Sequence, residues 1–197
     1  MKKILLAAIA IFGIVFSCGN ISHAQGKILV AYFSRTGEEY NVGNVAKGNT
    51  AVVAEMIAKK VGADIFEIKP VNPYPNDYKE CTKIASSEKA KKARPEFVGD
   101  AKNFSDYDTI FVGYPIWYGD APMIIYTFLE KYDFAGKNIV PFCTHGGSGL
   151  SSTDQQFALK CPNSKILQGF EIRGSVAQKN PAETETKVDA WLKKIGF

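Results

Sequence analysis

The chain is poor in cysteine and histidine: its 197 residues include four cysteines and two histidines. The cysteines, Cys18, Cys81, Cys143 and Cys161, have none of the close paired spacings that zinc sites and redox-active dithiols use. Three of them lie beyond the N-terminal region, and an odd number disfavours a full disulfide framework. We therefore expect no metal site and three buried thiols, with one disulfide as the open alternative in an oxidising compartment.

Excess charge is also small. The formal net charge is +4, and without residues 1–24 it is +2, from 22 basic and 20 acidic side chains. Lysines concentrate between Lys83 and Arg94, where a solvated helix face explains them. A balance this close to neutral gives no support for nucleic-acid binding, so we expect no nucleic-acid partner.

Long apolar runs are scarce, and the longest lies at the N-terminus. Two lysines precede an apolar stretch from Ile4 to Phe16, which is shorter than the roughly 20 residues of a membrane span. A positive start, a short apolar core and small residues after it are typical of a secretory signal. Cleavage after Ala24 leaves one domain over 25–197, whereas a lipoprotein signal leaves a lipidated Cys18 on a short tether. The sequence thus predicts export, either to the periplasm or to a membrane that the protein touches only through a lipid at Cys18.

Strand-like and helix-like patterns alternate along the rest of the chain. Apolar residues recur at helical spacing over Thr50 to Val61, from Pro122 through Leu129, and over Glu183 to Ile195. This alternation predicts one α/β domain, with a parallel sheet covered by helices on both faces. The strand-like apolar runs are Ile28 to Phe33, Ile65 to Ile68, Thr109 to Tyr114, Ile139 to Cys143 and Ile166 to Ile172.

Hydroxyls and glycines follow the first predicted strand and precede the first predicted helix. Ser34, Thr36 and Gly37 come first, and Gly48, Asn49 and Thr50 follow after ten intervening residues, Glu38 to Lys47. A helix N-terminus offers unpaired N–H groups and a partial positive charge, and glycine lets the backbone approach an anion. The segment therefore predicts a phosphate cradle in which these polar side chains donate to phosphate oxygens. Its plain alternative is a glycine-rich surface turn with a threonine N-cap.

Two other phosphate motifs are excluded. The run Gly43 to Thr50 has the outline of a P-loop, but Asn49 stands where that motif requires lysine. The first turn also lacks the Gly-x-Gly-x-x-Gly fingerprint of dinucleotide binding. A cradle of this kind needs no basic side chain, whereas phosphoryl transfer usually does, so a bound cofactor phosphate is favoured over a transferred one.

Two further loops follow predicted strands and, in a parallel sheet, lie at the same carboxyl edge as the cradle. One has large flat side chains on a proline-stiffened backbone, which suits a planar ligand or, alternatively, an oligomer interface. The other has small residues whose N–H groups can contact a polar ring edge, or which form a plain turn. With the cradle as the first loop, the second loop contains Pro115, Ile116, Trp117, Tyr118 and Gly119, and the third contains Thr144, His145, Gly146, Gly147 and Ser148.

Neither reactive side chain of the third loop predicts catalysis on its own. His145 is suited to donating a proton near neutral pH, and a structural role is the alternative. Ser148 lacks the Gly-x-Ser-x-Gly frame of a hydrolase nucleophile. We therefore assign no catalytic side chain.

Together, Ser34-Arg35-Thr36-Gly37, Asn49-Thr50 and the two loops resemble the flavodoxin-like family of FMN proteins, over about Lys27 to Phe197. The chain is most similar to bacterial flavodoxins in which an insertion splits the phosphate loop. The resemblance implies FMN as cofactor and a five-stranded parallel sheet of order 2-1-3-4-5. It also implies that Trp117 and Tyr118 lie beside the isoalloxazine ring, Gly119 at a backbone pivot near flavin N5, and Thr144, Gly146, Gly147 and Ser148 near the pyrimidine side.

The resemblance leaves three functions open. An exported FMN electron carrier is the leading prediction, with a redox protein or a small quinone-like molecule as partner. The alternative enzyme is an FMN-dependent NAD(P)H:quinone-type oxidoreductase, which the nearly neutral charge keeps open because carrier flavodoxins are typically acidic. A lipid-anchored binding protein without redox activity is the third, since a fold does not establish a function.

Overall fold

The computed structural model describes residues 26–197, in which strands and helices alternate as the sequence predicts. The predicted signal region and Cys18 lie outside the described residues. The strands are β1 (Lys27–Tyr32), β2 (Gly37–Glu39), β3 (Gly43–Val45), β4 (Asp64–Glu67), β5 (Lys69–Pro70), β6 (Phe97–Val98), β7 (Tyr107–Pro115), β8 (Asn138–His145), β9 (Lys165–Ile166) and β10 (Phe170–Arg173). The helices are α1 (Asn49–Val61), α2 (Tyr78–Lys91), α3 (Met123–Lys131), α4 (Thr153–Lys160), α5 (Gly174–Lys179) and α6 (Pro181–Ile195), with a short 3-10 turn over Phe104–Asp106.

Five parallel strands form the central sheet in the order β4-β1-β7-β8-β10. Numbered along the chain as the first to the fifth strand of this sheet, they stand in the order 2-1-3-4-5, so the predicted topology is confirmed. The chain leaves β1 towards one edge of the sheet and returns to β7 on its other side. The winding therefore reverses between β1 and β7, and the loops after these strands flank a crevice where ligands bind in sheets of this kind.

The predicted fifth strand, Ile166 to Ile172, is divided. β9 pairs with the start of β8 and β10 pairs with its end, so the pairing is interrupted opposite Val140 and Pro141. Proline has no N–H to donate to a ladder, and glycine weakens a strand. Gly169 lies in the interruption so close to β8 that a Cβ on it would be 3.0 Å from the Pro141 carbonyl oxygen. Because the apolar run is continuous in the sequence, the sequence does not predict this break in the strand.

Helices cover both faces of the sheet, as predicted. On one face, α1 and α6 bury residues such as Ile57 and Val188 against Phe111. On the other, α3 and α4 bury Phe128 and Phe157. The predicted solvated helix is α2, which buries only Cys81 and Ala85 of its own residues.

The three thiols in the described part of the chain are buried and free, as predicted. Burial raises the pKa of Cys81 and of Cys161 to about 11, so both thiols stay protonated near neutral pH. Across residues 26–197, no group of three or more histidine, cysteine or acidic side chains is arranged to hold a metal ion. No helix in the same range is both long and apolar enough to cross a membrane.

Candidate functional site

A cavity of about 340 Å³ opens at the carboxyl edge of the sheet, beside the crevice between β1 and β7. Its volume lies within the range of small-molecule and cofactor sites. Its walls come from helix α2, from the segment between Arg35 and Asn49, from the end of β7 and the loop after it, from the end of β8, and from Gly174 at the start of α5. The lining residues are Arg35, Glu39, Tyr40, Asn49, Tyr78, Cys81, Thr82, Ala85, Pro115, Ile116, Trp117, Tyr118, Thr144, His145 and Gly174.

The two halves of the split phosphate cradle meet at Gly48. A Cβ on this residue would lie 2.1 Å from the Arg35 carbonyl oxygen and 2.2 Å from Ser34 Oγ, so only glycine allows this approach. Ser34 Oγ accepts a hydrogen bond of 3.1 Å from the Ala51 N–H in the first turn of α1, which leaves the Ser34 hydroxyl proton free to donate elsewhere. The insertion therefore separates the two halves in sequence but not in space.

The N-terminus of α1 brings Asn49 and Thr50 to the site. Asn49 is 8% exposed, and among buried side-chain oxygen and nitrogen atoms of residues 26–197 its Oδ1 alone lacks a hydrogen-bond partner. Its amide nitrogen lies against Gly174, where a Cβ would be 2.4 Å away. The Thr50 and Thr144 hydroxyl oxygens are 2.8 Å apart, so the first and third loops are joined by a buried hydrogen bond.

The ten inserted residues, together with Gly37, form a small antiparallel hairpin of β2 and β3. Arg35 fixes it: the buried guanidinium is 3.1 Å from Glu39 Oε1, donates to the carbonyl of Glu38, and donates over 2.7 Å to the carbonyl of Pro75. The Glu38 N–H donates in turn to the Asn76 carbonyl at 2.8 Å. Burial raises the pKa of Glu39, and the charge of Arg35 opposes that rise. The hairpin is thereby pinned to the segment that precedes α2.

The second loop is a tight turn over Trp117 to Asp120, with backbone hydrogen bonds of 2.8 and 3.1 Å between these two residues. Its central residues, Tyr118 and Gly119, have φ angles of 52° and 74°. Positive φ at both central positions is costly for a tyrosine and free for a glycine. Lys89 on α2 donates to the Tyr118 carbonyl at 2.6 Å and holds the orientation of the central peptide.

Two aromatic side chains hold the Trp117 ring in place. It packs edge-on against Phe33, with ring centroids 5.4 Å apart, and against Tyr74 at 5.0 Å. Tyr118 on the next position is half exposed, and its hydroxyl donates to the Thr82 carbonyl at 3.1 Å. The wall that Trp117 forms is thus rigid, whereas the wall that Tyr118 forms lies at the mouth of the cavity.

His145 orients the third loop. Its Nδ1 accepts from the Gly147 N–H at 2.8 Å, so in the neutral ring the proton is on Nε2, which contacts the Glu171 carboxylate. Arg173 donates to the Gly146 carbonyl at 3.3 Å. Because both ring nitrogens contact other groups of the chain, His145 holds the backbone of this loop in place. This is the structural role, the alternative to proton donation for this residue.

Seven of the fifteen predicted site residues line the cavity, and the other eight lie around it. Ser34, which is half-buried, and Thr50, which is buried, lie in the seam of the cradle, where its two halves meet at Gly48. Gly37 is buried at the start of β2 against Asn76, and the Thr36 side chain is exposed. Gly119 is at the tip of its turn, and the small residues of the third loop are exposed. The seven lining residues are Asn49, Pro115, Ile116, Trp117, Tyr118, Thr144 and His145, and the remaining ones are Ser34, Thr36, Gly37, Thr50, Gly119, Gly146, Gly147 and Ser148.

Sequence reasoning misses the wall that the hairpin and α2 contribute. One signal was present: Asp77 followed by Glu80 is the pattern of a capped helix start, and Asp77 Oδ1 does accept from the Glu80 N–H at 2.7 Å. That start places Tyr78, Cys81 and Thr82 on a helix facing the cavity. No comparable signal marks the three-residue strands of the hairpin. The missed lining residues are Arg35, Glu39, Tyr40, Tyr78, Cys81, Thr82, Ala85 and Gly174.

The 2-1-3-4-5 sheet, with an aromatic cavity and a helix N-terminus at its carboxyl edge, defines an α/β protein of the flavodoxin-like class. A family model described as flavodoxin matches residues 27–195. This chain therefore belongs to the flavodoxin family, and the predicted family is confirmed. Among curated proteins, no sequence matches it.

Solved structures with the same fold include three bacterial flavoproteins. A candidate flavoprotein from Bacteroides eggerthii is 34% identical with a TM-score of 0.70, over 87% of this chain and 99% of that one. One from Bacteroides uniformis is 32% identical with a TM-score of 0.69, over 85% and 98% of the two chains. A flavoprotein from Lactobacillus acidophilus, solved in complex with FMN, is 21% identical with a TM-score of 0.62, over 84% and 98%. At 21% identity, the likeness to the Lactobacillus acidophilus protein shows the fold alone.

Proposed function

We propose that this protein binds FMN and carries electrons by alternate reduction and oxidation of that cofactor. Membership of the flavodoxin family supports FMN as the cofactor, and the Lactobacillus acidophilus protein solved with FMN has the same fold. The observation that carries the proposal is one cavity lined both by the N-terminal residue of α1, Asn49, and by the aromatic side chains of Trp117 and Tyr118. Such a cavity takes a ligand with an anionic end and a flat apolar end.

The residues present fit FMN at both ends. The helix N-terminus and the Ser34 hydroxyl supply donors for a phosphate, and the close approach at Gly48 brings them together. Asn49 Oδ1 is a buried acceptor without a partner, which suits a hydroxyl of the ribityl chain. Trp117 offers a flat apolar surface to a ring system.

When bound, the isoalloxazine ring of FMN supplies the reversible redox chemistry. The chain binds and orients it: α1 and Ser34 hold the phosphate, and the turn over Trp117 to Asp120 is set by its own hydrogen bonds. The wall formed by Trp117 limits water at the ring. Cys81 also lines the cavity, but its raised pKa keeps the thiol protonated and unreactive, so it takes no part in electron exchange.

Ligand titration of the purified domain tests the cofactor. FMN should bind stoichiometrically with a visible flavin spectrum, FAD should bind more weakly, and riboflavin should lose the affinity that the phosphate contributes. Equal affinity for riboflavin and FMN would exclude the phosphate site. A chain that binds none of the three would refute the proposal, in favour of a binding protein that keeps the fold without a flavin.

A reductase is the second candidate function, because the 22 basic and 20 acidic residues outside residues 1–24 lack the acidic excess typical of carrier flavodoxins. Such an enzyme would use NAD(P)H as the electron donor and a quinone-like molecule as the two-electron acceptor, with FMN as the redox cofactor. As a carrier, the protein should exchange electrons with a redox protein and oxidise NAD(P)H only negligibly by itself. Steady-state NAD(P)H oxidation with a soluble quinone distinguishes the two.

Trp117→Ala should raise the flavin midpoint potential by about 20 mV, which for a two-electron couple corresponds to a difference of about 1 kcal/mol between the oxidised and reduced states. The apolar wall limits solvation of the negative charge on fully reduced flavin, so its removal makes reduction easier. Tyr118→Ala should act in the same direction, whereas Trp117→Phe keeps an aromatic wall. Spectroelectrochemical titration measures the shift.

A variant with alanine at Cys81, Cys143 and Cys161 provides the control for that titration. It should keep the wild-type potential, because none of the three thiols is poised for exchange. The assignment fails if this variant loses redox activity with FMN still bound, or if neither aromatic replacement moves the potential.

We further propose that the protein works outside the cytoplasm. The support is in the sequence: two lysines, an apolar stretch and small residues stand at the N-terminus. Mass spectrometry of protein from the native type of cell should find a mature chain that begins at Gln25 or at a diacylated Cys18. A chain that keeps Met1 would contradict both forms.

A further inference from the structure

The inserted hairpin delivers one large aromatic side chain to the cavity. Tyr40 follows β2 directly, lines the cavity and is 55% exposed. Its ring lies against the third loop, because a Cβ on Gly146 would be 2.7 Å from the nearest ring carbon. The side chain therefore spans from the inserted segment to the loop that follows β8.

Two more tyrosines continue this wall around the mouth of the cavity. The Tyr40 and Tyr78 ring centroids are 6.1 Å apart, with the ring planes tilted by 32°. Burial raises the pKa of Tyr78, and the nearby phenols of Tyr118 and Tyr40 add to the rise, which agrees with their closeness. These three residues come from the hairpin, from α2 and from the second loop.

The position of Tyr40 is fixed by a buried polar anchor. Arg35 ties the hairpin to the chain through Glu39, the neighbour of Tyr40, and through the Pro75 carbonyl. An exposed aromatic ring on a rigid support is a preorganised platform, since little rotational freedom is lost when a flat ligand covers it. Trp117, fixed against Phe33, provides a second flat surface in the same cavity.

We propose that Tyr40 is a cofactor-contact residue: the inserted hairpin supplies an outer wall for the isoalloxazine ring, and the ring binds between it and the Trp117 side of the cavity. This inference rests on the proposed FMN function. In this arrangement the inserted hairpin retains the flat end of the ligand, and the divided cradle holds the phosphate end. Gly146 is needed at its position because a side chain there displaces the tyrosine.

The test compares the dissociation constants of FMN and riboflavin for the variants Tyr40→Ala, Tyr40→Phe and Asn44→Ala. Asn44→Ala is the matched control on the same hairpin, because the Asn44 side chain is exposed and lies outside the cavity. Tyr40→Ala should weaken both ligands by the same factor, about tenfold, because stacking acts on the ring and not on the phosphate. Tyr40→Phe and Asn44→Ala should bind as the wild type does.

A double-mutant cycle with Gly146→Ala adds an independent check. This replacement should weaken both flavins in the wild-type background and cost little more in the Tyr40→Ala background, because the tyrosine it displaces is absent there. The inference is overturned if the wild type binds FMN and Tyr40→Ala binds it equally well, or if the loss falls on FMN alone. Failure of the wild type to bind FMN would instead refute the proposed function.

Discussion

Gly48→Ala should weaken FMN binding about 100-fold and change riboflavin binding far less, which corresponds to about 3 kcal/mol of phosphate binding. The φ and ψ angles of Gly48, −67° and 154°, suit alanine, so the backbone itself is not strained by the change. The obstacle is space: the new Cβ would lie 2.1 Å from the Arg35 carbonyl oxygen. Ser34 and Arg35 must then move away from α1, and the donors no longer converge on one anion.

The measurement is a pair of titrations, with FMN and with riboflavin, on each variant. Ser34→Ala should lose less than Gly48→Ala, since it removes one hydroxyl and leaves the seam closed. Ala46→Ser, at a nearby exposed position outside the seam, should bind both ligands normally. The phosphate assignment fails if Gly48→Ala weakens the two ligands equally while its thermal unfolding stays close to that of the wild type.

The fold could be predicted because its signals are local. Apolar runs such as Thr109 to Tyr114 and the helical spacing in Thr50 to Val61 identify buried strands and an amphipathic helix. Once the flavodoxin-like resemblance supplies the strand order, the loops after the first, third and fourth strands must share one edge. The division of the fifth strand is not local, since it depends on which residues of β8 face it.

The candidate site could be predicted only in part, for the same reason. Residues beside strand ends, such as Trp117 and Thr144, are placed by the topology alone. The hairpin wall depends on a tertiary anchor: Arg35 meets Pro75, forty positions away in the chain, and the sequence gives no periodic pattern for strands of three residues. Thr50 and Thr144 were each predicted near the ligand, but their bond to one another depends on the packing of α1 against β8.

Arg35→Met should lower the free energy of unfolding by about 3 to 5 kcal/mol at about pH 7. The guanidinium is nearly fully buried beside Glu39, whose side chain is 15% exposed, so its removal leaves a carboxylate in a poorly hydrated place without its cation. The carbonyl groups of Glu38 and Pro75 lose a donor as well. Denaturant unfolding of the ligand-free protein measures the difference.

The loss should shrink in acid, and its sign follows from the raised pKa of Glu39. A carboxyl with a raised pKa in the folded state binds its proton more tightly there than in the unfolded chain. Without Arg35 that pKa rises further. The part of the loss that comes from the unpaired carboxylate is therefore absent below the ordinary carboxyl range, sets in as the pH rises past it, and is complete above the raised folded-state value.

Unfolding at about pH 4.5 should accordingly show a smaller gap between wild type and Arg35→Met than unfolding at about pH 7. Adding Glu39→Gln to Arg35→Met should recover part of the loss at the higher pH, since it removes the uncompensated charge. An equal loss at both pH values would mean that the backbone carbonyls, rather than the ion pair, account for the effect. In either case the hairpin would be released from Pro75, and the wall that Tyr40 forms would lose its support, so flavin affinity should fall together with stability.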